Sequence, residues 1–247
     1  MRIVLFFLFL FASTHLQAQL PEPDMYNNIT VQPVVHGSLM LEYNGKVIYA
    51  DPYGGAERYT SLPEPDIILI TDIHGDHYNE ETLRAVFHED VLIAAPLAVR
   101  QMMPSEIAEK TVIISNGETK DIGGVTVEAV PMYNLPEDEE SRHPKGRGNG
   151  YILDLDGTRV YISGDTEDIP EMRALQNIDL AFVCMNMPYT MTVEQAADAV
   201  LEFKPEVVYP YHYRGRPEIS DTSEFRQLVK AENNDIEVRL KNWYTGE

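Results

Sequence analysis

A short apolar run, Ile67 to Ile70, empties directly into Asp72, His74, Asp76 and His77. A run of this kind reads as a strand covered on both faces, as in the buried sheets of layered α/β proteins. Four metal-capable side chains therefore sit at the mouth of a buried strand. A polar turn accounts for one or two of them, but not for two imidazoles beside two carboxylates. On an extended backbone Asp72, His74 and Asp76 share one face while His77 points elsewhere, so the cluster can serve two neighbouring ions. Gly75 allows the backbone to turn tightly among them.

The surrounding pattern fits a layered fold. Thr30 to Val35, Ser38 to Tyr43 and Lys46 to Ala50 alternate as antiparallel strands do, with Asn44-Gly45 as a hairpin turn. A helix is expected after the metal-type cluster, with Asn79 as its N-cap and Glu80 and Glu81 in its first turn. Gly123-Gly124 opens a second set of strands at Val125 to Pro131, Tyr151 to Leu155 and Arg159 to Ser163. Helices are expected at Pro170 to Leu175 and Val193 to Phe203, the latter with a Thr192/Gln195 capping box. Strands at Leu180 to Met185 and Glu206 to Pro210 complete the block. Two blocks of strands, each followed by helices, predict an α/β fold. Two mixed β-sheets would pack face to face with helices on both outer faces, an αββα sandwich.

Met1 and Arg2 precede an apolar run, Ile3 to Ala12, that is too short to span a bilayer, and a polar stretch with Ala18 as a cleavage residue follows. Residues 1–18 are thus expected to be a secretory signal peptide, leaving 19–247 as one domain in the periplasm or outside the cell. No cysteine follows the apolar run, so no lipid anchor is expected, nor any other membrane anchor after cleavage. The formal charge of −21 argues against nucleic acid and anionic membrane as partners, both of which would repel it. A small-molecule substrate remains the expected partner. Cys184 is the single cysteine and lies in the apolar segment 180–185, where a buried hydrophobe is expected rather than a thiolate.

Two further expected strands end in ligand-type residues: Tyr161-Ile-Ser-Gly leads to Asp165, and Val207-Val-Tyr-Pro-Tyr leads to His212. Loops beyond strand ends are where sheet scaffolds build active sites. Asp72-x-His74-x-Asp76-His77 resembles the His-x-His-x-Asp-His signature of the metallo-β-lactamase fold, with Asp72 in place of the first His. Ser163-Gly-Asp165-Thr166 resembles the segment whose carboxylate bridges two metals in that family, and Tyr209-Pro-Tyr-His212 resembles its last His motif. His36-Gly-Ser38 and Asp51-Pro52 are similar to elements of the branch that includes ascorbate-phosphate lactonase-like proteins. The family's middle His falls at Asn134, a poor ligand, and His143 can replace it if the loop 135–150 folds back over the site. Lys145 and Arg147 of that loop, with Arg214, are candidates for holding an anionic group of the substrate.

The resemblance implies one or two divalent ions held by Asp72, His74, Asp76, His77, His143, Asp165 and His212. A donor set of carboxylate and imidazole suits zinc first, with manganese or iron as alternatives. Such an ion activates water without a Ser or Cys nucleophile, and none of the usual nucleophile, P-loop or dinucleotide patterns is present. The activity expected is that of a metal-dependent hydrolase. Its metal-bound hydroxide would attack an ester, lactone, amide or phosphodiester of a small substrate, with Asp76 as the catalytic residue that orients the water and accepts its proton. The alternatives are a di-iron redox protein on the same fold and a metal-stabilised binding protein without turnover.

Overall fold

The structure, a computed structural model, describes residues 20–245, and the expected signal peptide at residues 1–18 lies outside them. The first sheet holds β1 (Asp24–Tyr26), β2 (Ile29–Val35), β3 (Ser38–Tyr43), β4 (Lys46–Ala50), β5 (Ile67–Leu69), β6 (Leu92–Ala95) and β7 (Thr111–Ile113), side by side in chain order. Helices α1 (Glu80–Val86), α2 (Leu97–Arg100) and α3 (Ser105–Ala108) belong to this half. The second sheet holds β8 (Thr119–Ile122), β9 (Val125–Met132), β10 (Gly148–Leu155), β11 (Thr158–Ile162), β12 (Leu180–Cys184), β13 (Val207–Tyr211) and β14 (Glu237–Val238), again in chain order. It carries α4 (Pro170–Arg173), α5 (Val193–Phe203) and α6 (Thr222–Glu232). In each sheet the first four strands pair antiparallel and the last four parallel. Parallel neighbours need crossover connections, and the helices supply most of them.

Strand β5 shows why the layers form. Ile67 and Leu69 point into the core between the sheets, beside Val127 and Ala129 of β9. Ile68 and the following Ile70 point the other way, into a cluster with Leu83 and Val86 of α1, Val99 of α2 and Ile107 of α3. All four residues of this run are essentially inaccessible to water. Period-two alternation of a wholly apolar run thus gives one face to the partner sheet and one to the helices. On the second sheet α5 performs the same covering, with the Phe203 ring edge-on to Tyr161 at 6.0 Å.

The two sheets are tied together at the end where the chemistry lies. Tyr151 on β10 donates its hydroxyl to the carbonyl of Ile70 (2.7 Å), and the Asn149 amide donates to the carbonyl of Thr71 (2.9 Å). Strand β10 begins at Gly148, three residues before the strand expected from the sequence. A Cβ at Gly148 would lie 2.3 Å from the Met132 methyl, and one at Gly150 would lie 2.9 Å from the Ser163 carbonyl oxygen. The glycines that resemble a loop in the sequence are there because neighbouring strands approach too closely for a side chain. No described helix is long and apolar enough to cross a membrane.

Candidate metal centre

Five chain segments converge where strands end: Asp51 after β4, residues 72–77 after β5, Asn134 and His143 after β9, Asp165 after β11, and His212 after β13. Two groups of potential ligands result, Asp72 with His74 and His143, and Asp76 with His77 and His212; within each group the donor atoms all lie within 4.8 Å of one another. The extended-strand expectation, which placed Asp76 with Asp72 and His74, is corrected here. The strand stops at Leu69, and the chain then folds into a turn in which the His77 and Tyr78 amides donate to the His74 carbonyl (2.9 and 2.8 Å). That turn carries Asp76 and His77 together to the far side, toward His212. Asp165 lies between the groups, 3.3 Å from His77 Nε2, 3.3 Å from His212 Nε2 and 3.4 Å from His143 Nε2.

These spacings fit a divalent ion. Ligand atoms about 2.0–2.2 Å from a tetrahedral zinc stand about 3.3–3.6 Å apart, longer than an ordinary hydrogen bond. His77 Nε2 and His212 Nε2 are 3.3 Å apart, and His212 Nε2 is 3.4 Å from Asp76 Oδ2. His143 Nε2 and Asp165 Oδ1 are buried without a hydrogen-bond partner. His74 Nδ1 stands 2.6 Å from Asp72 Oδ2, yet forms no aligned hydrogen bond. Buried polar atoms left unsatisfied and facing one another are what a ligand set needs and what a protein interior otherwise avoids.

Two of the imidazoles, His77 and His143, are oriented from behind. His77 Nδ1 donates to Asp51 Oδ2 (2.8 Å), while the Thr71 amide and hydroxyl donate to the same carboxylate (2.7 and 2.6 Å), so Nε2 of His77 is the ring nitrogen turned to the site. The His143 amide and its Nδ1 both donate to Asn134 Oδ1 (2.9 and 3.0 Å). Asn134 Nδ2 in turn donates to Glu167 and to the Tyr189 carbonyl, which fixes the orientation of the amide. Asn134 therefore holds His143 in place of offering a ligand itself. Asp51, His36 and His212 all have positive φ (44°, 50° and 44°), a region non-glycine residues rarely occupy, and they cluster at this centre.

The carboxylates keep their charge. Burial alone would raise the pKa of Asp76, but the hydrogen bond to His212 and the nearby His77 hold it well below the ordinary range. Asp165 is likewise buried yet lowered, by His212 and His77. Asp72 is lowered against its burial by His74, His77 and Arg147. Burial raises the Cys184 thiol to about 12, in keeping with a packed, inert cysteine.

A cleft of about 490 Å³ opens onto Asp76, Asp165 and His212, and Arg214 lines it as well. Lys145 and Arg147 lie elsewhere. Lys145 pairs with Glu137 and Glu171 (2.9 Å each) and sits over the Tyr133 ring. Arg147 grips both oxygens of Asp72, with Nε 3.2 Å from Oδ1 and Nη2 3.1 Å from Oδ2. The cleft instead takes Arg142, next to His143, and Arg216, next to Gly215. Sequence reading missed both, as well as the orienting roles of Asp51 and Asn134. The signal for Asp51 was its position at a strand end, shared with Asn134, Asp165 and His212.

The chain matches the family described as beta-lactamase superfamily domain over residues 30–212, and it belongs to that family. It is 31% identical over 216 residues to a protein of Pyrococcus abyssi named UPF0173 metal-dependent hydrolase, covering 81% of this chain and 92% of that one. A crystal structure from Parabacteroides distasonis, described as a candidate metal-dependent hydrolase, is 41% identical, with a TM-score of 0.78 over 90% of this chain and 98% of that one. The diiron β-hydroxylase CmlA of Streptomyces venezuelae shares the fold alone, at 19% identity and a TM-score of 0.65, covering 90% of this chain and 54% of that one.

Proposed function

We propose that this protein is a metal-dependent hydrolase that cleaves an ester, lactone, amide or phosphodiester bond in a small substrate. The observation that carries the reading is the convergence of seven ligand-type side chains from four loops, with facing donor atoms of Asp76, His77, His143, Asp165 and His212 standing 3.3–3.4 Å apart. Asp72, His74 and His143 would hold one ion, Asp76, His77 and His212 the other, with Asp165 shared between them. When bound, a divalent ion lowers the pKa of water toward neutrality and polarises the carbonyl or phosphoryl oxygen under attack. Asp76 is the one member of the second group that faces the cleft appreciably, with its side chain 34% exposed, so it is suited to orient water and accept its proton. Asp51 and Asn134 keep the imidazole tautomers that leave Nε2 available.

Zinc is the metal this donor set suits first; the oxygen donor of Asp72 favours manganese or iron at its own site. Membership in the branch with ascorbate-phosphate lactonase-like proteins rests on His36-Gly-Ser38 and Asp51-Pro52, and makes a lactone the first substrate to assay. Residues 1–18 support export to the periplasm or medium, leaving residues 19–247 as a single domain; N-terminal sequencing of the secreted protein tests this. Metal analysis followed by a panel of ester, lactone, β-lactam and phosphodiester substrates tests the activity. His77→Ala and His212→Ala should each lose most of the bound metal and the activity while keeping the native circular dichroism spectrum. Full metal occupancy in both variants would contradict the assignment.

A further inference from the structure

The chain carries 19 Lys and Arg against 40 Asp and Glu, so a basic side chain on its surface has acidic partners to choose from. Several cations of the fold take them. Arg84 pairs with Glu80 and Glu106, Arg173 with Asp168, Asp198 and Glu202, and Arg239 with Glu237. Over the metal centre, cations are instead gathered around one cleft. Arg142, Arg214 and Arg216 line it together, and among the described residues no carboxylate pairs with Arg142 or Arg216. The Arg142 guanidinium carbon lies over the Tyr189 ring, 4.4 Å from its centroid, and that of Arg214 over the Tyr244 ring at 4.1 Å. Stacking restrains both guanidinium groups, and it leaves the planar N–H edge of Arg142 for another partner.

The backbone holds this arrangement. Gly215 sits between two of the arginines, and a Cβ there would stand 1.9 Å from the Met187 carbonyl oxygen. The Arg216 amide donates to that same oxygen at 2.9 Å, and the Gly215 amide donates to the Glu218 carbonyl at 3.0 Å. The segment is thus pinned against residues 186–187, with Asn186 and Tyr189 lining the same cleft. Across it, Arg142 is anchored by its neighbour His143, whose ring and amide are held by Asn134.

We propose that Arg142, Arg214 and Arg216 form a subsite for an oxyanionic group, a carboxylate or a phosphate, on the end of the substrate away from the bond that is cleaved. The site replaces Lys145 and Arg147 as the place where charge is recognised. In a protein with a strongly negative field, an anionic substrate is repelled except where a local cation cluster reverses the potential. Guanidinium groups match the geometry of both oxyanions, and several of them favour the group with more charge and more oxygens. The word substrate rests on the hydrolase reading; the anion site itself does not.

Calorimetric titration of the zinc-loaded protein with inorganic phosphate and, separately, with succinate reads the site without turnover. At least one probe should bind, and Arg142→Ala/Arg216→Ala should weaken it tenfold or more with unchanged metal content. The tighter probe identifies the group as phosphate or carboxylate. Binding of neither probe, or equal binding in the double variant, would overturn the proposal, the latter because the metal alone then holds the anion. A matched pair of p-nitrophenyl esters, one neutral and one ending in a carboxylate, gives the kinetic arm. The ratio of their kcat/KM values should fall at least tenfold in the double variant, and an unchanged ratio counts against the subsite. Should the wild-type protein cleave neither ester, that result bears on the hydrolase reading, and the titration still decides the anion site.

Discussion

Asn134 and His143 exchange three hydrogen bonds: two donated to the Asn134 side chain by His143, and one donated by the Asn134 amide to the His143 carbonyl at 2.9 Å. At the position where the resemblance places a ligating His, the chain has a side chain that aims a different His. The loop is closed on itself by this pair, so the candidate ligand is supplied from nine residues downstream. Asn134→Ala should weaken metal at the first site by about 10–100-fold, the usual effect of removing a group that orients a ligand, and leave the second site near its wild-type affinity. Asp72 belongs to the same argument. Its carboxylate is shared with Arg147, so its donation to an ion is weaker than that of an unshared group. Stepwise metal titration should show two unequal affinities, Asp72→Ala losing only the weaker equivalent and Asp72→His tightening it. Two equally tight ions indifferent to Asp72 would refute this. At this scale the ligand types were legible from residues 72–77, 165 and 212. The Arg147–Asp72 pair was not, because a contact across 75 residues leaves no mark in local pattern.

Among the elements, those with a strong local signal were legible. The helix α5 carries the capping box read from its sequence: the Gln195 amide donates to Thr192 Oγ1 (3.2 Å) and the Thr192 amide to Gln195 Oε1 (2.9 Å). Asn79 caps α1 in the same way, its Oδ1 accepting from the Thr82 amide at 2.9 Å. Thr192→Ala should lower the unfolding free energy by about 1 kcal/mol, measured by urea denaturation, with metal content unchanged. A loss under a few tenths would mean the box contributes little to this helix. The strands β1 and β8 gave no such signal. Both are short edge strands, and β8 exposes most of its polar residues, so neither shows the alternation that buries one face. Likewise the one-residue alternation read onto 72–76 failed because a turn, not a strand, carries those residues, and a period of two holds only on extended backbone.

For the whole molecule, the two sheets meet over one apolar core, but the metal centre draws on both halves separately. Residues 72–77 follow a strand of the first sheet, whereas His143, Asp165 and His212 follow strands of the second. Each of the two ligand groups therefore spans the sandwich. The layered architecture was legible in the two blocks of strands; the pairing of ligands across them required the fold. On the proposed function, two ions would each be held by side chains from both sheets, with Asp165 between them. Anomalous diffraction from crystals grown with the metal that the purified protein retains tests it most directly. Two peaks about 3.5–4 Å apart are expected, one within reach of Asp72, His74 and His143 and the other of Asp76, His77 and His212, both within reach of Asp165. A peak away from these residues, or a single ion at fully loaded stoichiometry, would contradict it.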